Sequence, residues 1–431
     1  MAHHANSDVP VARFDSVPPG LRIAIPAFIL LGAAAMIGGV LVDADRAWHA
    51  YLVNWLFFTG LAQGAVMLAV VVTIAKGMWS RTIRRIALSF VAFLPIAWLL
   101  LIPMLFVAPR IFPWITEPVA GKEAYLNLPF LAIRHVVLLG ALFTVSIIFA
   151  RAALRPDLGL IREQMSGKLA ALYDRMTRNW RGQEAEEAHA HQVLSRLAPA
   201  LALLYAVAMS VVAFDFVMSL EPHWFSTLIG PYFFMGAFLC GLTVTGITTL
   251  AYVRKLGLPD VVSDSQFHDL GKLTFGFTVF WGYLFFSQFI VIWYGLLPGE
   301  QSFVVHRFMA PFSIIAKLVG LGVFVIPFFG LLGVAPKKNP RILTLIGGVS
   351  LFALWLERYL LVYPSYYIGA QRLPLGWQEV GTALFFAGLL LAALMWFATR
   401  FPLFQLWQPM SELELKGLEV EVTAEEAAAA G

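Results

Sequence analysis

Apolar residues along this chain form long unbroken runs, without the alternation of a half-buried strand or the narrow stripe of a surface helix. A run of about 20 apolar residues is long enough for an α-helix to cross the hydrocarbon core of a bilayer. Such runs predict helices at residues 21–42, 50–75, 86–108, 128–150, 197–220, 228–252, 272–296, 308–334, 342–366 and 380–399. The pattern therefore predicts an all-α, polytopic membrane protein with ten transmembrane helices.

Composition agrees with a membrane protein. Of the 431 residues, 60% are hydrophobic and 13% are charged, about half the charged share of a soluble domain. The formal charge of +4 is small and gives no reason to expect nucleic-acid binding. The single cysteine, Cys240, can hold neither an iron–sulfur cluster nor an internal disulfide.

Basic residues are distributed unequally between the two ends of the helices. On the side away from the termini, five lie in or beside the loops: Arg46, Arg110, Lys122, Arg307 and Arg372. Three lie inside predicted helices, and the rest of the 30 Lys and Arg lie on the side of the termini. The positive-inside rule then predicts that both termini are cytoplasmic. The longest loop, 151–196, is predicted to be a cytoplasmic surface helix or helical hairpin.

Two pairs of segments suggest an internal repeat. DFVMSLEPHWF (215–225) and ERYLLVYPSYY (357–367) each read acid, six residues, proline, one residue and two aromatics; PFLAIRH (129–135) and PFSIIAK (311–317) both open a helix. The repeat predicts a four-helix bundle at 50–220 and a second at 228–366, a plan known in membrane proteins. Helices in segments 21–49 and 380–399 flank them, and 1–20 and 400–431 are tails.

Ionisable residues inside the helices are functional candidates, because each costs about 2.5–3.5 kcal/mol on insertion scales. Arg134, His135 and Asp215 lie at matching depths on two helices, with Asn54 and Gln63 on a third. They form either a structural ion pair that locks two helices or a protonatable cluster. Burial and a neighbouring Arg shift a carboxyl pKa in opposite directions, so the sequence leaves this choice open.

A second group consists of Lys317, Glu357 and Arg358. Adjacent residues on a helix point in different directions, so Glu357 is expected to pair with Lys317 across the bundle instead of with Arg358. A structural ion pair and a half-channel for protons are the alternatives. We favour Glu357 and Lys317 as the proton-path pair and Asp215 with Arg134 as partly structural.

The run FGFTVFWGYLFFSQFIVIWYG (275–295) offers an aromatic surface on which a quinone ring could stack. Its quinone-binding candidates are Trp281, Tyr283, Gln288 and Trp293, and its glycines at 276, 282 and 295 permit close helix approach. The alternative is that these aromatics only pack or face lipid.

Ligands for a redox centre are missing from the sequence. His135 is the one histidine placed clearly inside the membrane, and no CxxCH or nucleotide-binding motif is present. The chain is therefore expected to bind no haem, metal or iron–sulfur centre of its own. If it takes part in electron transfer, another subunit must carry the redox centres.

The runs FDFVMSLEPHWFSTLIGPYFF (214–234) and FFSQFIVIWYGLLPGE (285–300) resemble segments of the NrfD-like, polysulfide-reductase-type membrane family. Within it, they are most similar to the second quinone-type membrane subunit of alternative complex III, over most of the ten-helix core. The second run departs from that pattern, which has Asn in place of Leu296 and Glu in place of Gly299.

This resemblance implies a subunit of a respiratory quinol:cytochrome c oxidoreductase in the bacterial inner membrane. The implied partners are pentahaem and monohaem cytochromes c, an iron–sulfur subunit and a paralogous ten-helix subunit. Menaquinone or ubiquinone would bind here or in the paralogue, which is the stronger candidate for quinol oxidation. This chain would then contribute a quinone site, a proton path with Asp215, His135, Arg134, Glu357, Lys317 and Arg358, or structure alone.

Two other functions fit the sequence. A secondary transporter with two repeats would have ten helices too, but transporters have helices broken near the midplane in both halves. Here the deep prolines Pro95, Pro103 and Pro327 do not occupy matching repeat positions. A purely structural membrane anchor is the third possibility.

Overall fold

Ten long apolar helices dominate the computed structural model, which describes residues 10–407. They are α1 (Pro19–Val42), α2 (Ala44–Ile74), α3 (Met78–Phe106), α4 (Leu128–Gln164), α5 (Gln183–Leu220), α6 (Ile229–Lys255), α7 (Asp264–Gly295), α8 (Ser313–Gly330), α9 (Pro340–Tyr366) and α10 (Trp377–Ala398). No strand occurs within 10–407. The predicted all-α, ten-span membrane fold is confirmed.

The predicted and observed helices differ mainly at their ends. Helices α4, α5 and α7 continue beyond the apolar runs into the loops on the side of the termini. The predicted loop 151–196 is therefore mostly the ends of α4 and α5, with a short helix, Gly167–Met176, between them. Hydropathy marks where a helix enters the bilayer, whereas hydrogen bonding and capping decide where the helix ends.

Polar residues start several of the helices. The Asp43 side chain accepts from the Arg46 backbone N–H at α2, and the Asn127 side chain accepts from Phe130 N–H at α4. Ser263 and Gln266 form a capping box at α7. Each cap satisfies backbone N–H groups that the first helical turn leaves unpaired.

Two spans are irregular. Helix α3 contains a 3₁₀ segment, Ser89–Phe93, and then two short α-helical segments that contain Pro95 and Pro103. Helix α8 has a π-helical turn, Gly320–Val325, just before Pro327. Proline removes a backbone donor and crowds the preceding turn, which explains why the regular ladder fails at these places.

Helices α2 and α6 form the centre of the molecule, since 83% of the most apolar window of each is buried. Gly64 of α2 and Gly241 of α6 lie in their contact: a Cβ on Gly241 would stand 2.1 Å from the backbone carbon of Gly64. Helix α5 contacts both central helices and α4, α3 packs on α2, α7 and α9 pack on α6, α8 packs on α9, and α1 pairs with α10. The repeat and its domain boundaries stay predictions.

The two ends of the described chain meet on one side of the helices. Phe14 N–H donates to Ala398 O at 3.0 Å, and Leu403 N–H donates to Ala12 O at 2.8 Å. We call this the terminal side and the other end the opposite side. Of the two predicted tails, residues 1–9 and 408–431 lie outside the described residues.

A buried ion pair fixes the C-terminal segment on the terminal side. Asp157 at the end of α4 pairs with Arg85 of α3, and both side chains are fully buried. The second Asp157 oxygen accepts from the backbone N–H groups of Leu406 and Trp407, both at 3.0 Å. Residues 401–407 are consequently buried rather than part of a loose tail.

Candidate functional site

Asp215 of α5 is buried and bonded by two neighbouring residues of α4. Arg134 donates from Nε and Nη2 to the two carboxylate oxygens, each at 2.6 Å. His135 Nε2 lies 2.6 Å from Asp215 Oδ2, and the imidazole is fully buried. The structure therefore brings together the three residues that their matching depth placed in one cluster.

The surroundings of this cluster hold it in place. The Arg134 guanidinium lies 3.9 Å from the centre of the Tyr125 ring and donates to the Tyr125 carbonyl at 3.0 Å. Burial, followed by the charge of Asp215, raises the pKa of Tyr125 to about 12. Because both Asp215 oxygens are already bonded, this carboxylate mainly serves to join α4 to α5.

Asn54 and Gln63 were expected beside this cluster, but their bonds go elsewhere. Asn54 Oδ1 accepts from Trp355 Nε1 at 2.9 Å, which links α2 to α9. Gln63 Nε2 donates to Ser146 Oγ at 3.1 Å, which links α2 to α4. Both are buried helix-to-helix contacts, set by the rotation of α2 about its own axis.

Glu357 of α9 has fewer partners than Asp215, although both carboxylates are buried. Its Oε2 lies 3.1 Å from Nη1 of the adjacent Arg358, without hydrogen-bond geometry. Its Oε1 accepts from Trp281 Nε1 at 3.4 Å. Glu357 Oε2 is thus a buried acceptor with hydrogen-bonding capacity left over.

The expected pair of Glu357 with Lys317 is wrong. Lys317 is exposed on α8, so this helix turns its lysine away from the bundle. Arg358, and not Lys317, is the basic residue beside Glu357. Its long side chain curves back along the helix and donates to the Phe233 carbonyl of α6 at 2.9 Å. The expectation that adjacent Glu357 and Arg358 diverge was wrong for the same reason.

Two neighbouring cavities lie between α6, α7, α8 and α9, and Glu357 lines the first of them. The first has a volume of about 60 Å³, and its polar lining comes from Glu357, Tyr232, Gln288 and Arg307. The second, of about 400 Å³, is lined almost wholly by apolar and aromatic side chains, including Trp281. The shared lining residues are Tyr232, Phe285, Phe308 and Leu360. An apolar volume of this size with a few polar groups is typical of a small-molecule site.

Of the four quinone-binding candidates, two line these cavities and two do not. Trp281 is 2% exposed, and Gln288 lines the first cavity. Tyr283 and Trp293 are 61% and 58% exposed, because they lie on the outward face of α7. Gly282 does allow close approach, to Phe324 of α8, whereas Gly276 has no neighbour that an added Cβ would meet.

The sequence analysis missed a second charged group at the first cavity. Arg307, in the short helix Pro298–Phe308, donates to Glu221 Oε1 at 2.9 Å and to Ser365 Oγ at 2.9 Å. We had counted Arg307 among the loop charges of the opposite side. The sequence did contain a signal for this pair, since a basic and an acidic residue occur in two loops on the same side of the helices.

Another missed network joins α2, α9 and α10 on the opposite side. Arg46 donates to both oxygens of the buried Glu379, at 2.8 and 2.9 Å, and Tyr363 Oη donates to Glu379 at 2.6 Å. Glu379 also accepts from the Gly376 N–H, which caps α10. The signal for this cap was an acid directly before the predicted helix 380–399.

These observations give the two buried acids different chemical capacities. Asp215 is held by an arginine and a histidine and lines neither of these two cavities. Glu357 faces a cavity, keeps a free acceptor and has an indole donor beside it. The Glu357 cavity is therefore the better candidate for binding a molecule that carries protons.

The chain matches no protein-family model and no curated protein.

Proposed function

We propose that this chain is an NrfD-like membrane subunit of a quinol-oxidising respiratory complex of the alternative complex III type, in a bacterial inner membrane. The cavity beside Glu357 binds the quinone ring, and Glu357 exchanges a proton with it. Electrons pass to the haem or iron–sulfur centres of partner subunits.

The Glu357 cavity is the observation that carries this proposal. A quinone head needs an apolar slot for its ring and a polar group for its oxygen. The 400 Å³ volume supplies the slot, and Glu357 lines the 60 Å³ volume that shares four lining residues with it. Trp281 orients the carboxylate through its Nε1. The proton-exchanging group proposed here is Glu357, with the Arg358 charge beside it, while Lys317 is left out because it faces away.

Binding of a photoreactive quinone analogue to the purified chain in lipid nanodiscs tests the site. We expect Glu357→Gln and Trp281→Phe to weaken binding by roughly 5- to 100-fold, the equivalent of one hydrogen bond to a charged or neutral partner. The matched control is Trp293→Phe, since Trp293 is on the same helix but exposed. Equal binding by all three variants, or none by the wild type, would overturn the quinone site.

Purification of the tagged chain from native membranes in mild detergent tests membership of a complex. We expect c-type haem and iron–sulfur proteins to co-purify, and quinol oxidation to accompany them. A colourless monomer that transports a solute in proteoliposomes would instead favour the secondary transporter. The π-helical turn of α8 beside the larger cavity is the feature that keeps this alternative open.

A further inference from the structure

Glu221 belongs to a buried group at the opposite-side end of the Glu357 cavity. Ser365 Oγ donates to Glu221 Oε1 at 2.7 Å, and Arg307 donates to the same oxygen at 2.9 Å. His306 Nδ1 lies 3.7 Å from the other oxygen, Oε2. The Glu221 side chain is 11% exposed, so it reaches the surface while its partners hold it.

Arg307 connects this group to the cavity. Its guanidinium lines the same 60 Å³ volume as Glu357, and the Leu361 carbonyl, which accepts from Arg307 Nη2, belongs to another lining residue. Arg307 Nε is buried without a partner among the described residues. The volume is large enough for a few water molecules. The cavity thus has a carboxylate at its inner end and a second one just behind Arg307.

We propose that Glu221, positioned by Arg307 and Ser365, is the group through which protons pass between the Glu357 cavity and the aqueous phase on the opposite side. This inference rests on the proposed function. When a quinol O–H bond breaks, its proton goes to the Glu357 carboxylate and the electron goes to a haem or iron–sulfur partner. Water carries the proton past Arg307 to Glu221. The second proton follows by the same route, and the second electron goes to the same partner centres, which leaves the quinone.

Charges around Glu221 suit this role. Burial lowers the pKa of Arg307 to about 10, with Glu221 opposing the shift, so the guanidinium stays charged at neutral pH. That charge stands directly beside the Glu221 carboxylate, 2.9 Å from its Oε1. The other charged or titratable groups nearby are His306, His223 and Lys122, whose amine donates to the Pro222 carbonyl. The group facing Glu221 from α9 is the Ser365 hydroxyl.

The test uses the native complex in proteoliposomes, with decylubiquinol as donor and a water-soluble acceptor. For Glu221→Gln we expect turnover to fall roughly 10-fold or more with an unchanged KM, because a relay group affects proton transfer rather than binding. In the wild type, turnover should decline at acidic pH, because the relay needs carboxylates that can accept a proton. In Glu221→Gln that acidic decline should shift, since only the Glu357 carboxylate remains in the relay.

The amide of Glu221→Gln still accepts from Arg307 and Ser365 but no longer carries a charge, so a purely structural role predicts lower stability with an unchanged pH profile. Wild-type turnover and pH profile in this variant would therefore overturn the proposal. If the variant fails to assemble, Glu221→Asp decides: a shifted acidic decline supports the relay, and an unchanged profile sinks it. The control is Glu300→Gln, in the short helix Pro298–Phe308 that carries Arg307. This variant should behave as wild type. Loss of quinone binding by the wild type would refute the proposed function instead.

Discussion

Asp215 and Glu357 are both buried acids near the opposite-side end of their helices, and their partners explain why they differ. Asp215 has two partners on the adjacent helix, Arg134 and His135, each 2.6 Å away. Glu357 has one charged neighbour, on its own helix, and only neutral groups beside it otherwise, the Trp281 indole and the Tyr232 hydroxyl. An acid that is fully paired has little reason to exchange a proton, whereas an acid with spare capacity beside a cavity can do so.

Asp215→Asn should destabilise the protein, because it leaves the Arg134 charge poorly compensated in a buried site. We expect a loss of about 3–5 kcal/mol, measured as thermal unfolding in detergent. The control is Asp45→Asn: Asp45 pairs with Arg110 at 2.6 Å, but both side chains are at least half exposed, and such pairs contribute less than about 1 kcal/mol. Equal stability of the two variants would contradict a locking role for Asp215.

At the scale of helices, small residues decide which spans touch. Gly64 and Gly241 bring the backbones of α2 and α6 close together, which allows van der Waals contact along the centre of the protein. Helix α8 is irregular where it borders the larger cavity, so its π-helical turn shapes the cavity wall. The site is thus built by helix packing and by a local defect, as well as by its polar residues.

Gly241→Ala should weaken the α2–α6 contact, because the new methyl group would stand 2.1 Å from the Gly64 backbone. We expect a loss of at least about 1–3 kcal/mol, typical of overpacking, and a lower yield of folded protein. Gly348→Ala is the control, since an added Cβ there meets nothing within 4 Å, and alanine should even favour that helix by up to about 1 kcal/mol. Similar melting curves for the two variants would contradict close packing at Gly241.

For the whole molecule, burial is uneven. In the most apolar window of each helix, 11% of α1 and 22% of α7 is buried, against 83% of α2 and α6. The exposed face of α7 carries Phe286, Trp293 and Tyr294. Such a surface needs lipid or neighbouring subunits to cover it, which fits the proposed place of this chain in a larger membrane complex.

Labelling of single cysteines tests the orientation predicted from the basic residues. Asn179→Cys lies on the terminal side and Glu117→Cys on the opposite side, and both positions are exposed. In intact cells, an impermeant thiol reagent should label Glu117→Cys only, because the basic side is expected to be cytoplasmic. Cys240 is buried and should not interfere. Labelling of Asn179→Cys from outside would reverse the orientation.

The sequence by itself determined the class of protein, the number of spans and their approximate positions. Hydropathy adds up over about 20 residues, so the exact neighbours of each residue do not matter to it. Depth along a helix can be counted at 1.5 Å per residue, and for this reason Asp215, Arg134 and His135 were correctly placed together. The sequence also indicated Trp281 and Gln288, which lie in an aromatic run, as candidate ligand-binding residues.

Only the tertiary structure decided which way each side chain faces. His135 and Lys317 hold the same position in the proposed repeat, yet the histidine is buried and the lysine is exposed, because α4 and α8 are rotated differently about their axes. Likewise, Arg307 and Glu221 lie far apart in the chain and meet only when the ends of three segments pack together. Rotation and packing depend on long-range contacts, which a pattern of local hydropathy does not contain.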